Sequence, residues 1–272
     1  MCIDLLNNLF KNLFSPKETG GQEGEQEVIE NMTSNEENVP EENTMTENEK
    51  PVVNNPIPYE DVNFVVLLDN GHAKSTAGKR SPKLDDGRQF FEYEFNRDVV
   101  SRIAEGLKKL GIKYEILVPE VEKDIALSER ANRANAFCKK YGTQNCFFIS
   151  VHSNAYGKGD KWETPGKWSV WTTVGVTTSD EYAKIMYQVA EEELKPYGFG
   201  CRDGKVQGKG NAGPDYEENF TVIYKTWCPA VLTENLFYTN KKECEWLMTD
   251  EGRQVIADIH IKGIQKIIEN RK

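Results

Sequence analysis

Short β-branched, apolar runs alternate with helical stretches from about residue 62 onward, and this alternation constrains the fold of the chain most. FVVLL (64–68), IKYEILV (112–118), CFFISV (146–151), KWSVWTTV (167–174), TVIY (221–224) and AVLTE (230–234) have strand composition. Between them, residues 92–110 place Phe95, Val99, Ile103, Leu107 and Leu110 on one helical stripe that stops at Gly111. Residues 126–142 form a second helical pattern, with Ser128 as a candidate cap and Gly142 at the end. Residues 179–194 predict a third helix, and 241–269 are mostly helical in pattern. Such an order predicts an α/β fold: a twisted, mostly parallel sheet flanked by helices.

The chain before this alternation is of a different kind. Residues 1–50 hold twelve acidic and three basic residues, a net of −9 out of the chain's −10, which leaves about −1 for residues 51–272. Residues 15–60 are rich in Glu, Asn, Thr and Pro, and too poor in apolar groups to offset their ordering entropy. They are expected to be a disordered acidic linker, with residues 61–272 as the folded domain. Residues 1–14 repeat Ile3, Leu6, Leu9, Phe10, Leu13 and Phe14 at helical spacing. This segment reads first as a short helix on its own domain, and second as a weak contact with a membrane or partner. It lacks the basic start and cleavage site of a secretory signal, and no apolar run reaches membrane-spanning length. The near-neutral domain offers no basic stripe for nucleic acid. The six cysteines include no CxxC pair, so they are expected to be buried free thiols rather than a metal or redox motif.

Open α/β sheets bind ligands beyond the carboxyl ends of their strands, so the residues just after each strand carry the most information. FVVLL runs into Asp69-Asn70-Gly71-His72, CFFISV into His152-Ser153-Asn154, and AVLT into Glu234-Asn235. Two of the chain's three histidines and one carboxylate therefore emerge at one edge. Imidazoles with a carboxylate are a frequent three-ligand set for zinc, water taking the fourth position. Glu92, at the start of the next helix, is the best third ligand, and Glu94 competes from another face. Lys74, Lys79, Arg80, Lys83 and Arg88 would border the site. Asp69 reads equally as an orienting group and as a turn former. Arg130 is expected to pair within its own helix, and His260, among Ile259, Ile261 and Ile264, to be structural.

Four segments in order resemble one family. VVLLDNGH, FEYEFN, ALSERANRAN with FFISVHSNA, and PAVLTENLFYTN are similar to segments of the zinc-dependent N-acetylmuramoyl-L-alanine amidases of bacterial cell-wall hydrolases and phage endolysins. The resemblance covers roughly residues 62–270. It implies a mixed sheet of about six strands, one Zn²⁺ held by His72, Glu92 and His152, and Glu234 as catalytic acid/base. Its E-x-x-x-N segment selects Glu92 over Glu94. The chain departs from the family where Ala73-Lys74 come after the first histidine. The implied reaction cuts the amide between N-acetylmuramic acid and L-alanine in peptidoglycan, at the cell wall. With no signal segment evident, a phage lysin made in the host cytoplasm is one expected setting. Asn154 either holds substrate or fixes the loop after His152. A zinc peptidase of the stem peptide and a non-catalytic wall-binding protein are the alternatives.

Overall fold

A computed structural model describes residues 64–205 and 213–271. The readings for residues 1–14 and 15–60 lie outside the described residues, as do residues 206–212.

Six strands form one mixed sheet in the order β2-β1-β3-β6-β4-β5. They are β1 (Val65–Asn70), β2 (Lys113–Ile116), β3 (Cys146–Asn154), β4 (Ser169–Thr172), β5 (Tyr216–Glu217) and β6 (Ala230–Phe237). β2, β1, β3 and β6 run parallel, and only the β4–β6 pairing is antiparallel. Helices α1 (Glu92–Lys109), α2 (Leu127–Tyr141), α3 (Thr178–Leu194), α4 (Thr221–Tyr224), α5 (Lys241–Leu247) and α6 (Asp250–Asn270) complete the fold.

The two faces of the sheet divide by side-chain alternation. Val66 and Leu68, Phe147, Ile149 and Val151, Val231, and Val170 enter the main core with α1, α3 and α6. The remaining positions face α2 and α4, and near the carboxyl ends they become polar: Asp69, Ser150, His152 and Glu234. This polar run has a cause in the register. Asp69 pairs with Ser150 and His152 with Glu234, so the four line up across three adjacent strands.

Two expectations need correction, and one strand goes beyond them. TVIY (221–224) is the single-turn helix α4, not a strand: Phe220 turns the chain, and Tyr224 and Lys225 hydrogen-bond back to Phe220 and Thr221. Its strand composition gave way because the segment has no sheet partner and buries Val222 and Ile223 as a helical turn. Ser128 is not the cap of α2; Ala126 holds that place without a side-chain bond. The two-residue strand β5 was not expected at all.

Candidate metal centre

β1 ends at Asn70, and the chain turns sharply to aim His72 back over the sheet edge. His72 adopts a left-handed backbone (φ 62°), rare for a side-chain-bearing residue and less so for histidine. The turn is pinned by α1: Asn96 Nδ2 donates to Gly71 O at 3.0 Å, and an Arg97 guanidinium nitrogen donates to His72 O at 2.9 Å. Gly71 must lack a side chain here, since a Cβ would lie 2.0 Å from the His152 ring. Asn96 thus explains the E-x-x-x-N spacing. One helical turn apart, Glu92 reaches the histidines and Asn96 holds the loop that carries the first of them. Glu94 points away, exposed, and accepts from Tyr93 Oη at 2.8 Å.

The geometry around Glu92 is tight. Its Oε2 lies 3.4 Å from His72 Nε2 and its Oε1 lies 3.1 Å from His152 Nδ1. The two imidazoles meet edge to face, with centroids 4.9 Å apart. One ligand atom from each of the three residues lies within 4.8 Å of the others, the arrangement that can hold a metal ion. The donor set also fits a cation physically. Glu92 is 1% exposed, yet Oε2 has no hydrogen-bond partner, and a buried carboxylate oxygen without one is costly.

Burial and charge set the ionisation of the cluster. Burial lowers the pKa of His72 to about 4 against the pull of Glu92, so its ring is neutral at neutral pH, the form that ligates. Burial works to raise Glu92, but the nearby His72 and Lys79 and the contact with His152 outweigh it and hold it well below its usual value. Burial lowers His152, while Glu92, Glu234 and Asp69 raise it and prevail. Glu234, beside His152 on β6, is pushed up to about 7 by burial and by Glu92, with His152, Lys79 and Arg202 opposing. Its Oε2 is also buried and without a partner.

Of the basic residues expected at the rim, Lys79 reaches the cluster, its ammonium 4.0 Å from Glu92 Oε2. Its carbonyl accepts the Glu92 backbone N–H at 3.0 Å. Lys74 and Arg88 instead pair with the exposed Glu122 and Asp86. Asn154 uses Oδ1 to accept from Ala155 N at 2.8 Å, fixing the turn after β3, while its buried Nδ2 has no partner. His260 lies elsewhere, inside α6, with Nδ1 on Ile256 O at 2.7 Å and Nε2 on Thr233 Oγ1 at 3.0 Å. Arg130 does not pair within its helix. It reaches under β1, donating to Asp69 Oδ1 at 2.7 Å, Asn70 O at 3.0 Å and Asp124 Oδ1 at 2.8 Å.

Sequence reasoning missed two supports. Asn235 donates to His152 O at 2.8 Å and accepts from Trp168 Nε1 at 2.7 Å. Glu243, buried, takes the backbone N–H groups of Lys167 and Phe237, each at 2.7 Å, and so ties the loop before β4 to the end of β6. Nothing local in the sequence marks Glu243. Asn240, three residues before it, caps α5 by accepting from Glu243 N.

A parallel-edged α/β sheet with a buried His-Glu-His cluster at its carboxyl edge defines a metallohydrolase-like class of site. Comparison with known proteins narrows it. The sequence profile of the N-acetylmuramoyl-L-alanine amidase family matches residues 66–266, and the chain belongs to that family. It is 34% identical over 206 residues to the N-acetylmuramoyl-L-alanine amidase CwlM of Bacillus licheniformis, covering 74% of this chain and 67% of that protein. Identity to the endolysin of Bacillus phage SPP1 is 28% over 212 residues, covering 76% of this chain and 67% of that one. The fold is shared with the N-acetylmuramoyl-L-alanine amidase of Clostridium difficile 630, at a TM-score of 0.59 and 20% identity over 77% of this chain and 99% of that one. Among the described residues, no helix is long and apolar enough to cross a membrane.

Proposed function

We propose that the chain is a zinc-dependent hydrolase of peptidoglycan that cuts the amide between N-acetylmuramic acid and L-alanine, with residues 61–272 as its catalytic domain. His72, Glu92 and His152 would hold one zinc ion. When bound, zinc supplies Lewis-acid polarisation of the scissile carbonyl and acidifies water toward neutral pH. The observation that carries the reading is the convergence of two histidines on one buried carboxylate, with a ligand atom of each of the three within 4.8 Å of the others.

Glu234 acts on protons. Its carboxylate, raised to about 7 by burial, takes a proton from the attacking water and returns it to the departing amide nitrogen. Such a pKa lets one group both accept and donate near neutral pH. Gly71 leaves the His152 ring room beside the loop, and Asn235 holds the His152 backbone from behind. Asn154 Nδ2 is the substrate-binding candidate on β3, since its other amide atom already serves the turn. The setting is the cell wall, either as a phage lysin released to it or as a wall-remodelling enzyme of the cell itself.

Elemental analysis tests the metal. One zinc per chain is expected, with activity lost in a strong chelator and regained on adding zinc. Full activity in chelator with no metal bound would contradict the scheme. Peptide fragments ending within the stem, with no new L-alanine terminus, would indicate a stem peptidase. Tight wall binding without any cleavage would indicate a binding protein.

A further inference from the structure

Beneath His152 runs a chain of buried polar groups that the proposed reaction leaves without a task. Ser150 is two residues before His152 on β3 and so shares its face of the sheet. The register sets Asp69 of β1 directly beside Ser150. Ser150 Oγ lies 2.5 Å from Asp69 Oδ2 and 3.1 Å from His152 Nε2. Asp69 and Arg130, 1% and 2% exposed, form an ion pair at 2.7 Å. Arg130 is held in turn by Ile125 O at 2.8 Å and by Asp124.

Proton counting makes this chain directional. A carboxylate paired with a guanidinium only accepts, and a serine hydroxyl has one proton to give. Ser150 gives it to Asp69 Oδ2. Its oxygen can then only accept from His152, so Nε2 carries a hydrogen. In the neutral ring, the form that ligates, the lone pair is then left at Nδ1, which faces Glu92 Oε1 at 3.1 Å. Two acceptors at that distance are favourable when they share a cation.

We infer that Asp69 and Ser150 are positioning residues that fix the tautomer of His152, so that the ring offers Nδ1, and not Nε2, to the metal. The inference rests on the reading of His152 as a ligand. Partners of this kind raise ligand basicity and lock ring orientation, and losing one typically costs roughly 10–100-fold in metal affinity. Arg130 anchors the whole from α2, which gives a role to a fully buried arginine whose helix neighbours it ignores.

Nitrogen-resolved NMR of the full-length, zinc-loaded protein with labelled histidine tests this directly, and the chain has only three histidines to assign. The expected spectrum has a His152 proton on Nε2 and a metal-shifted Nδ1. A proton on Nδ1 with a metal-shifted Nε2 overturns the inference while leaving the metal site intact. A wild-type protein that binds no zinc overturns both. Ser150→Ala should bind zinc about 10–100-fold more weakly, by chelator competition, and Ser150→Thr should recover most of that loss. Affinity of Ser150→Ala within twofold of wild type counts against the role. The wild-type spectrum decides the question even if Ser150→Ala fails to fold.

Discussion

Thr233 and Glu234 are neighbours in β6 that face opposite sides of the sheet, and each meets a histidine. On the core side, Thr233 bonds His260, whose second ring nitrogen is satisfied by Ile256 O. On the other side, Glu234 stands beside His152, whose Nδ1 faces Glu92. Both rings are buried or nearly so, and both have shifted pKa values. The difference lies in what remains unpaired. Around His260 the protein completes both ring-nitrogen contacts. Around His152, Glu92 and Glu234 each keep a buried oxygen without a hydrogen-bond partner. Burial alone therefore does not distinguish a structural histidine from a candidate ligand; convergent, unsatisfied acceptors do.

The largest effect expected from this contrast is on metal binding. His152→Ala or His72→Ala should weaken zinc binding by more than the roughly 100-fold upper range typical of an outer partner, while His260→Ala should leave it within twofold. Competition with a chelator reads this, and equal losses at all three would break the comparison.

Stability should show the reverse order. His260→Ala empties a fully packed site and removes the ring's bonds to Thr233 Oγ1 and Ile256 O, so it should cost about 2–4 kcal/mol by denaturant unfolding. Activity at a temperature where the variant is folded should stay near wild type.

A pH series sharpens the same point. Burial lowers His260 to about 4 from an ordinary 6.5, with the bond to Ile256 opposing. The unfolded chain takes up a proton near 6.5 and the folded one resists until about 4. The contribution is thus present above 6.5 and is lost as pH falls toward 4, about 3 kcal/mol in all. The stability difference between wild type and His260→Gln should shrink by about that amount over this window, and a constant difference would count against a neutral buried ring. The smallest effect belongs to Glu94→Gln, expected to change zinc affinity and turnover less than twofold, since Glu94 is exposed and bonded only to Tyr93.

Much of this was legible in the sequence because strand ends are. The apolar runs before His72, His152 and Glu234 located each near the carboxyl end of a strand, although β3 and β6 run on to Asn154 and Phe237, so that His152 and Glu234 pair within the sheet instead of leaving it. Glu92 was separable from Glu94 only through the family resemblance, and Asn96 supplies the physical reason for that spacing. What stayed hidden depends on pairing between distant segments. Ser150 read as one small residue within an apolar strand, and only the register with Asp69 gives it a role. Arg130 looked like a helix-surface charge, because its partners at Asp69 and Asp124 precede its helix in sequence. TVIY misled for the same reason: its β-branched composition had no neighbouring strand to join.

The central claim is that Glu234 moves the protons of an amide cleavage at a site whose metal it does not itself hold. Glu234→Gln is the most direct measurement, with zinc content and new L-alanine amino termini from digested peptidoglycan tracked on the same sample. The account predicts one zinc per chain, as in wild type, with release of L-alanine termini reduced by about 10²–10⁴-fold. Release at the wild-type rate, or loss of zinc along with the activity, would contradict it.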